Sequence, residues 1–279
     1  MNRARLVANT TLTMIAFAGN SVLCRMALKE TGIDAASFTS VRLLAGAAML
    51  WLLMRWQNQA PLGHGRWRSA LALFIYAVAL SFAYRTINTG AGALMLFGAV
   101  QVTMIVAGFV AGERMTVLQS AGFVAAMAGL VVLVLPGVHA PSLLDSVLML
   151  ASGIAWGVYS LFGRGLSNPA AATAGNFLRA VPFAIVLMLV ASPWLHLDKR
   201  GVLFALLSGA VTSGLGYVMW YRVLQHMRAM TASTIQLSAP VLAALGGVVF
   251  VGEALTRDLL ISSMLILGGI LLVLRCGKK

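Results

Sequence analysis

Charge is what this chain has least of. Only 10% of its 279 residues are Asp, Glu, Lys or Arg, and just 7 of these are acidic. The chain is 60% hydrophobic with a mean hydropathy of +0.92, so its polar complement is too thin to cover a soluble domain. Lipid is the solvent that remains for those side chains, which makes a bilayer the first expected partner. Cysteine is nearly missing too. Cys24 and Cys276 give neither a disulfide framework nor metal-ligand spacing. All seven acids (Glu30, Asp34, Glu113, Asp145, Asp198, Glu253, Asp258) and all four histidines (His64, His139, His196, His226) fall at the ends of apolar runs or between them. The interiors of the runs therefore hold no nucleophile–base pair, carboxylate dyad or metal-ligand set. The short His196-x-Asp198 pair lies in a connection. The expectation is a protein that is not an enzyme and carries no cofactor and no metal.

What is present is apolar sequence punctuated by single basic residues. Lys and Arg number 20, for a net charge of +13. They sit one at a time between apolar runs rather than in a patch, so the excess reads as orientation in a membrane and not as nucleic-acid binding. The runs are 6–24, 35–54, 69–84, 86–112, 115–135, 146–163, 165–197, 201–221, 229–252 and 259–274. About 20 apolar residues cross a hydrocarbon core of roughly 30 Å, so ten runs predict ten transmembrane helices. The first run lacks an evident small-residue cleavage site and is read as retained helix 1. Connections are short, some marked by turn chemistry such as Pro136-Gly137 and Ser167-Asn168-Pro169. With the N-terminus inside, twelve basic residues collect at inner ends and six at outer ends. That bias predicts cytoplasmic N- and C-termini and a multi-pass protein of the cell inner membrane.

The chain also repeats itself. Gly112-Glu113-Arg114-Met115-Thr116 recurs as Gly252-Glu253-Ala254-Leu255-Thr256, an offset of 140. Arg25 matches Arg164 (139), Arg42 matches Arg179 (137), Tyr84-Arg85 matches Tyr221-Arg222 (137), and Gly129 matches Gly269. Residues 1–138 and 139–279 are therefore read as two copies of one five-helix unit. Five is odd, so the second copy is inverted, an arrangement that places substrate near the midplane of transporters. Gly122, Ala126 and Gly129 in helix 5, with Gly268-Gly269 in helix 10, are small residues that allow close helix approach. They fit packing between the repeats or a homodimer face, and the expected state is a monomer or weak homodimer.

Polar residues inside the runs mark where substrate could be handled. Phe17, Asn20, Ser21 and Cys24 share one face of helix 1. Trp156, Tyr159, Ser160 and Gly163 hold the matching places in helix 6. Cavity lining and interhelical hydrogen bonding both account for such stripes. Gln101 lies near the middle of helix 4, and Gln236 and Ser238 precede Pro240 in helix 9. Pro240 removes a donor and frees the Gln236 carbonyl, which serves either a ligand or a simple kink; Pro182, which frees the Leu178 carbonyl beside Arg179, has the same two readings. In helices 3 and 8, Tyr76 and Tyr84 share a face, as do Ser213, Tyr217, Trp220 and Tyr221. Tyr84, Trp220 and Tyr221 lie near span ends and are expected in an interfacial aromatic belt, with Tyr217 deeper. Arg42 and Arg179 stand about two turns inside their spans. A buried Arg costs about 2.5–3.5 kcal/mol on insertion scales, so snorkelling to a surface or structural pairing is expected of both, with a substrate carboxylate as the rival partner.

Ten spans in five-plus-five inverted repeats, with Gly112-Glu113 and Gly252-Glu253 closing helices 4 and 9 and Arg42 and Arg179 early in helices 2 and 7, resemble the drug/metabolite transporter superfamily and its EamA-type members. The resemblance covers the whole chain. Helix 4 departs from it, with Val100-Gln101 where many relatives carry a proline; only helix 9 has one, Pro240. The resemblance implies export of small metabolites by alternating access, and amino-acid exporters of the YddG type are the specific match it suggests. The expected substrate-binding residues are Phe17, Asn20, Ser21, Gln101, Trp156, Tyr159, Ser160, Tyr217 and Gln236. Aromatics mixed with neutral hydrogen-bonders suit a small amphipathic molecule. Without an ionisable group in mid-span, weak or no ion coupling is expected. Other metabolite or drug export, a channel and a membrane-embedded enzyme are the alternatives.

Overall fold

Apolar runs in lipid become helices because every backbone N–H and C=O must be satisfied within the segment. The computed structural model describes residues 3–60, 63–112, 114–134, 141–227 and 229–275, and no strand occurs among them. The helices are α1 (Arg3–Glu30), α2 (Ala35–Trp56), α3 (Trp67–Ala83), α4 (Thr89–Val110), α5 (Val117–Val134), α6 (Leu143–Phe162), α7 (Pro169–Val190), α8 (Lys199–Leu207), α9 (Gly216–Leu224), α10 (Ala229–Gln236), α11 (Ser238–Val251) and α12 (Arg257–Arg275). A π-helical segment, Ser208–Leu215, joins α8 to α9, so Lys199–Leu224 runs as one rod. Among the described residues six helices are long and apolar enough to cross a membrane: Ala4–Glu30, Ala35–Trp56, Thr89–Val110, Leu143–Phe162, Pro169–Val190 and Lys199–Leu224. Trp67–Ala83, Val117–Gly129 and Ser238–Val251 are shorter apolar helices. Glu113, Pro136-Gly137, the junction at 138 and Cys276 lie outside the described residues.

Helix starts are capped by short polar side chains, which accept from the N–H groups that a helix leaves open. Asp34 caps α2, Ser142 caps α6, Asn168 caps α7 with Pro169 behind it, and Asp198 caps α8. Asp34 also accepts from the His196 N–H at 2.7 Å, tying the connection before α8 to the start of α2. Burial pushes the Asp34 carboxyl up, but hydrogen bonds from Ser37, His196 and Ala36 outweigh it and hold it below the usual carboxylate range. The expected break before Pro240 is present: the helix interrupts at Leu237, between α10 and α11. Pro182 sits inside α7 without ending it.

The packing has a paired pattern. α5 lies against α12, α2 against α7, and α4 against α11. α6 packs on α3 and α4, while α1 packs on α8, α9 and α11. The small residues explain the closeness of the first pair, because a Cβ on Gly269 would collide with the Gly122 carbonyl. Around this bundle Val110, Val117, Leu143 and Val249 are exposed, a surface that lipid covers and water would not tolerate. The aromatic belt expected from Tyr84, Trp220 and Tyr221 is corrected: all three are fully buried. Their hydroxyl and indole groups find partners on neighbouring helices, which outweighs the pull of an interface.

Candidate functional site

Phe17, on α1, is the hub of an aromatic group at mid-depth in the bundle. Its ring meets Trp156 edge-on at 5.2 Å, Trp220 at 5.6 Å, Tyr217 at 6.0 Å and Phe97 at 6.3 Å. Trp156 lies 4.5 Å from Tyr217, 5.0 Å from Tyr76 and 5.4 Å from Tyr159, centroid to centroid. Five helices, α1, α3, α4, α6 and α9, thus meet through rings.

Polar groups thread this aromatic group. Trp156 Nε1 donates to Gln236 Oε1 at 2.8 Å, and Gln236 Nε2 approaches the Met104 sulfur at 3.5 Å. Trp220 Nε1 donates to Ser160 Oγ at 3.1 Å, and the Tyr221 hydroxyl to the Tyr159 carbonyl at 2.9 Å. Asn20 Nδ2 donates to the Tyr76 hydroxyl at 3.0 Å, while Asn20 Oδ1 accepts from Ser208 at 2.7 Å and from Thr212 at 3.4 Å. Phe17, Asn20, Ser21, Tyr76, Leu96, Phe97 and Trp156 enclose a void of about 10 Å³, roughly the room one water needs. Phe97, Gln101 and Met104 share a face of α4. Gln101 is 2% exposed, and both its amide oxygen and its nitrogen lack a partner. The Tyr159 hydroxyl is likewise buried and unpartnered.

Arg42 enters the same network and does not snorkel. It is 1% exposed. Its Nε donates to Ser213 Oγ at 3.1 Å, and its Nη2 to the Tyr217 and Tyr76 hydroxyls at 2.9 and 3.1 Å. Arg179 behaves as expected, its Nη1 reaching the His64 carbonyl at 2.6 Å in the connection before α3. The π segment makes the first arrangement possible. In a regular α-helix Ser213 and Tyr217 would point about 140° and 180° away from Ser208. The wider π turn brings Ser208 and Thr212 to Asn20, and Ser213 and Tyr217 to Arg42. Gly209 permits the approach, since a Cβ there would collide with the Arg42 carbonyl.

The two ends of the bundle differ. Where α1 and α11 finish, Arg25 Nε pairs with Glu253 Oε1 at 3.2 Å, both side chains being 7% exposed. Arg25 Nη1 also donates to the Tyr84 and Arg85 carbonyls at 2.8 and 2.9 Å. Glu253 accepts from the Thr89 N–H at 2.8 Å, which sets a carboxylate on the positive end of α4. Gly252, at φ 66°, ends α11 in the left-handed conformation that turns Glu253 back onto the bundle. At the opposite end the Arg164 side chain has no polar partner among the described residues, and its backbone N–H donates to the Leu161 carbonyl at 3.2 Å. The Tyr221 carbonyl there accepts from Gln225 Nε2 at 3.0 Å. Beside it the connection before α3 and the α6–α7 connection enclose a cavity of about 200 Å³.

A family model described as the EamA-like transporter family matches residues 144–275. An uncharacterized protein of Pseudomonas aeruginosa is 51% identical over 272 residues, covering 96% of this chain and 95% of the relative. The chain belongs to the EamA-like transporter family. Relatives named as uncharacterized transporters agree with that membership. YoaV of Bacillus subtilis is 22% identical over 84% of this chain and 85% of its own, and an Archaeoglobus fulgidus protein is 28% identical over 74% and 76%. A crystal structure at 18% identity shares the fold, with a TM-score of 0.73 over 99% of this chain and 98% of that one. This EamA-like protein is thus a multi-pass membrane transporter.

Of the nine residues expected at the site, Phe17, Asn20, Ser21, Trp156, Tyr159, Ser160, Tyr217 and Gln236 belong to this buried group, and Gln101 is buried on the α4 face that carries Phe97 and Met104. Sequence reasoning set Arg42 apart from them and left out Ser208, Thr212 and Met104. Helical spacing could not reveal the serine and threonine, because the π segment changes their face. A signal for Arg42 was present: a charge two turns inside a span, with no acid in any span interior to neutralise it.

Proposed function

We propose that the chain exports small amphipathic metabolites, amino acids in particular, across the cell inner membrane by alternating access. The supporting observation is the buried aromatic and polar group in which Phe17, Asn20 and Arg42 meet Trp156, Tyr217 and Gln236. It joins residues from the two sequence repeats at mid-depth, where an inverted-repeat carrier holds its substrate. In this reading ten helices form two inverted units, 1–138 and 139–279, with both termini cytoplasmic and the protein a monomer or weak homodimer. The Arg25–Glu253 end then faces outward and is shut, and the cavity beside Arg164 faces the cytoplasm. Coupling to ions is weak or absent, because no acid stands inside a span.

The test is flux of labelled amino acids through purified protein in liposomes, with and without excess unlabelled amino acid on the far side. Saturable flux that far-side substrate accelerates is the expected result. Flux that far-side substrate leaves unchanged would indicate a channel, and a proton gradient that concentrates substrate would overturn the weak coupling. Absence of flux for every amino acid would move the assignment to another metabolite.

A further inference from the structure

Arg42 is the charge the fold leaves without a counter-ion. Its guanidinium is 1% exposed, and among the described residues the only ion pair is Arg25 with Glu253. Its three hydrogen-bond partners, Ser213, Tyr76 and Tyr217, are neutral hydroxyls, and Nη1 has no partner at all. Hydroxyl oxygens are weak stand-ins for a carboxylate, which takes the two parallel N–H bonds of a guanidinium and neutralises it. Helix packing alone does not require this arrangement, since a neutral side chain could join the same helices without burying a charge. The network also leads directly to the aromatic hub: Tyr76 accepts from Asn20, lies 5.0 Å from Trp156 and lines the small void with Phe17.

We propose that Arg42 is the binding site for the carboxylate of the transported molecule, with the Phe17–Trp156–Tyr217 rings holding its apolar part. The inference rests on the transporter reading and narrows it to monocarboxylates bearing an apolar or aromatic group. Substrate anion displaces the Tyr76 and Tyr217 hydroxyls from Arg42 and engages the unpaired Nη1. Those hydroxyls, released, become donors to the same carboxylate. In the shut form described here the void admits about one water, so substrate and opening of the bundle are coupled: the hydroxyls satisfy Arg42 when substrate is gone and return it to the closed packing.

Thermal unfolding of the full chain in detergent, with matched acid and amide ligands, tests the site. The probes are 3-phenylpropionate against 3-phenylpropionamide, and L-phenylalanine against L-phenylalaninamide. Each acid should raise the unfolding midpoint in a saturable way, by mass action on the folded state, and each amide should not. Arg42→Lys keeps the charge and loses the fork, so the acid should still stabilise but with affinity reduced about tenfold or more. Arg42→Gln should abolish the difference between acid and amide. Equal stabilisation by amide and acid, or no stabilisation by either acid, overturns the proposal, as does an acid preference that survives Arg42→Gln. Should Arg42→Gln fail to fold, the acid–amide contrast in the native chain and in Arg42→Lys decides the matter. Acid-selective binding of L-phenylalanine without its flux in liposomes would fault amino-acid transport and leave a carboxylate site at Arg42 standing.

Discussion

Arg42 and Arg179 hold matching positions 137 residues apart and do opposite things. Arg179 bonds the His64 carbonyl in a connection at one end of the bundle, whereas Arg42 turns inward onto Tyr76, Tyr217 and Ser213. Among the described residues Arg25 is locked to Glu253 and the Arg164 side chain has no polar partner, while Glu113, the acid that matches Glu253 in the sequence, lies outside them. Sequence likeness at Arg42 and Arg179 therefore does not carry over into like side-chain states. The difference lies in which neighbour each side chain reaches, not in its place in the sequence.

The largest effect should come from the locked end. Glu253→Ala strands the Arg25 guanidinium in a buried setting and should cost about 3–5 kcal/mol, read as a fall in the detergent unfolding midpoint. Arg164→Ala should stay within about 0.5 kcal/mol. Equal losses would dissolve the contrast between the ends. Next comes Gly209, whose counterpart at the same 137-residue offset is Ala72. Gly209→Ala forces a Cβ onto the Arg42 carbonyl and should destabilise by about 1–3 kcal/mol, while Ala72→Gly should cost about 1 kcal/mol or less. Trp156→Phe leaves Gln236 Oε1 without its donor and should cost about 1–3 kcal/mol, with slower flux in the liposome assay.

The smallest effect concerns the caps. α2 begins at Asp34 and its counterpart α7 at Asn168, so only the first can titrate. The Asp34 carboxyl is held below its usual range in the folded chain, so protonation favours the unfolded chain. Its contribution is full above the ordinary Asp pKa of about 3.9 and is lost as pH falls through the lowered folded value. Asp34→Asn should flatten that acid limb of the unfolding midpoint while keeping a competent cap. An unchanged limb would assign the acid sensitivity elsewhere.

Composition and hydropathy alone dictated the solvent and the all-helical class: apolar runs must fold as helices in lipid, because nothing there can satisfy an open backbone. The sequence also marked eight residues that come together, Gln101 being buried without a partner, since polar and aromatic stripes at helical spacing have to turn away from lipid. Tyr84, Trp220 and Tyr221 were misplaced because distance from a span end says nothing about which neighbour a side chain faces. Spacing also failed at Ser208, Thr212 and Ser213, where a π segment replaces the 3.6-residue turn on which the pattern depends. Which arginine is buried, and that Arg25 meets Glu253, was settled by packing. Those outcomes depend on contacts between residues 34 to 228 positions apart, chosen by the packing of whole helices, and no local pattern encodes them.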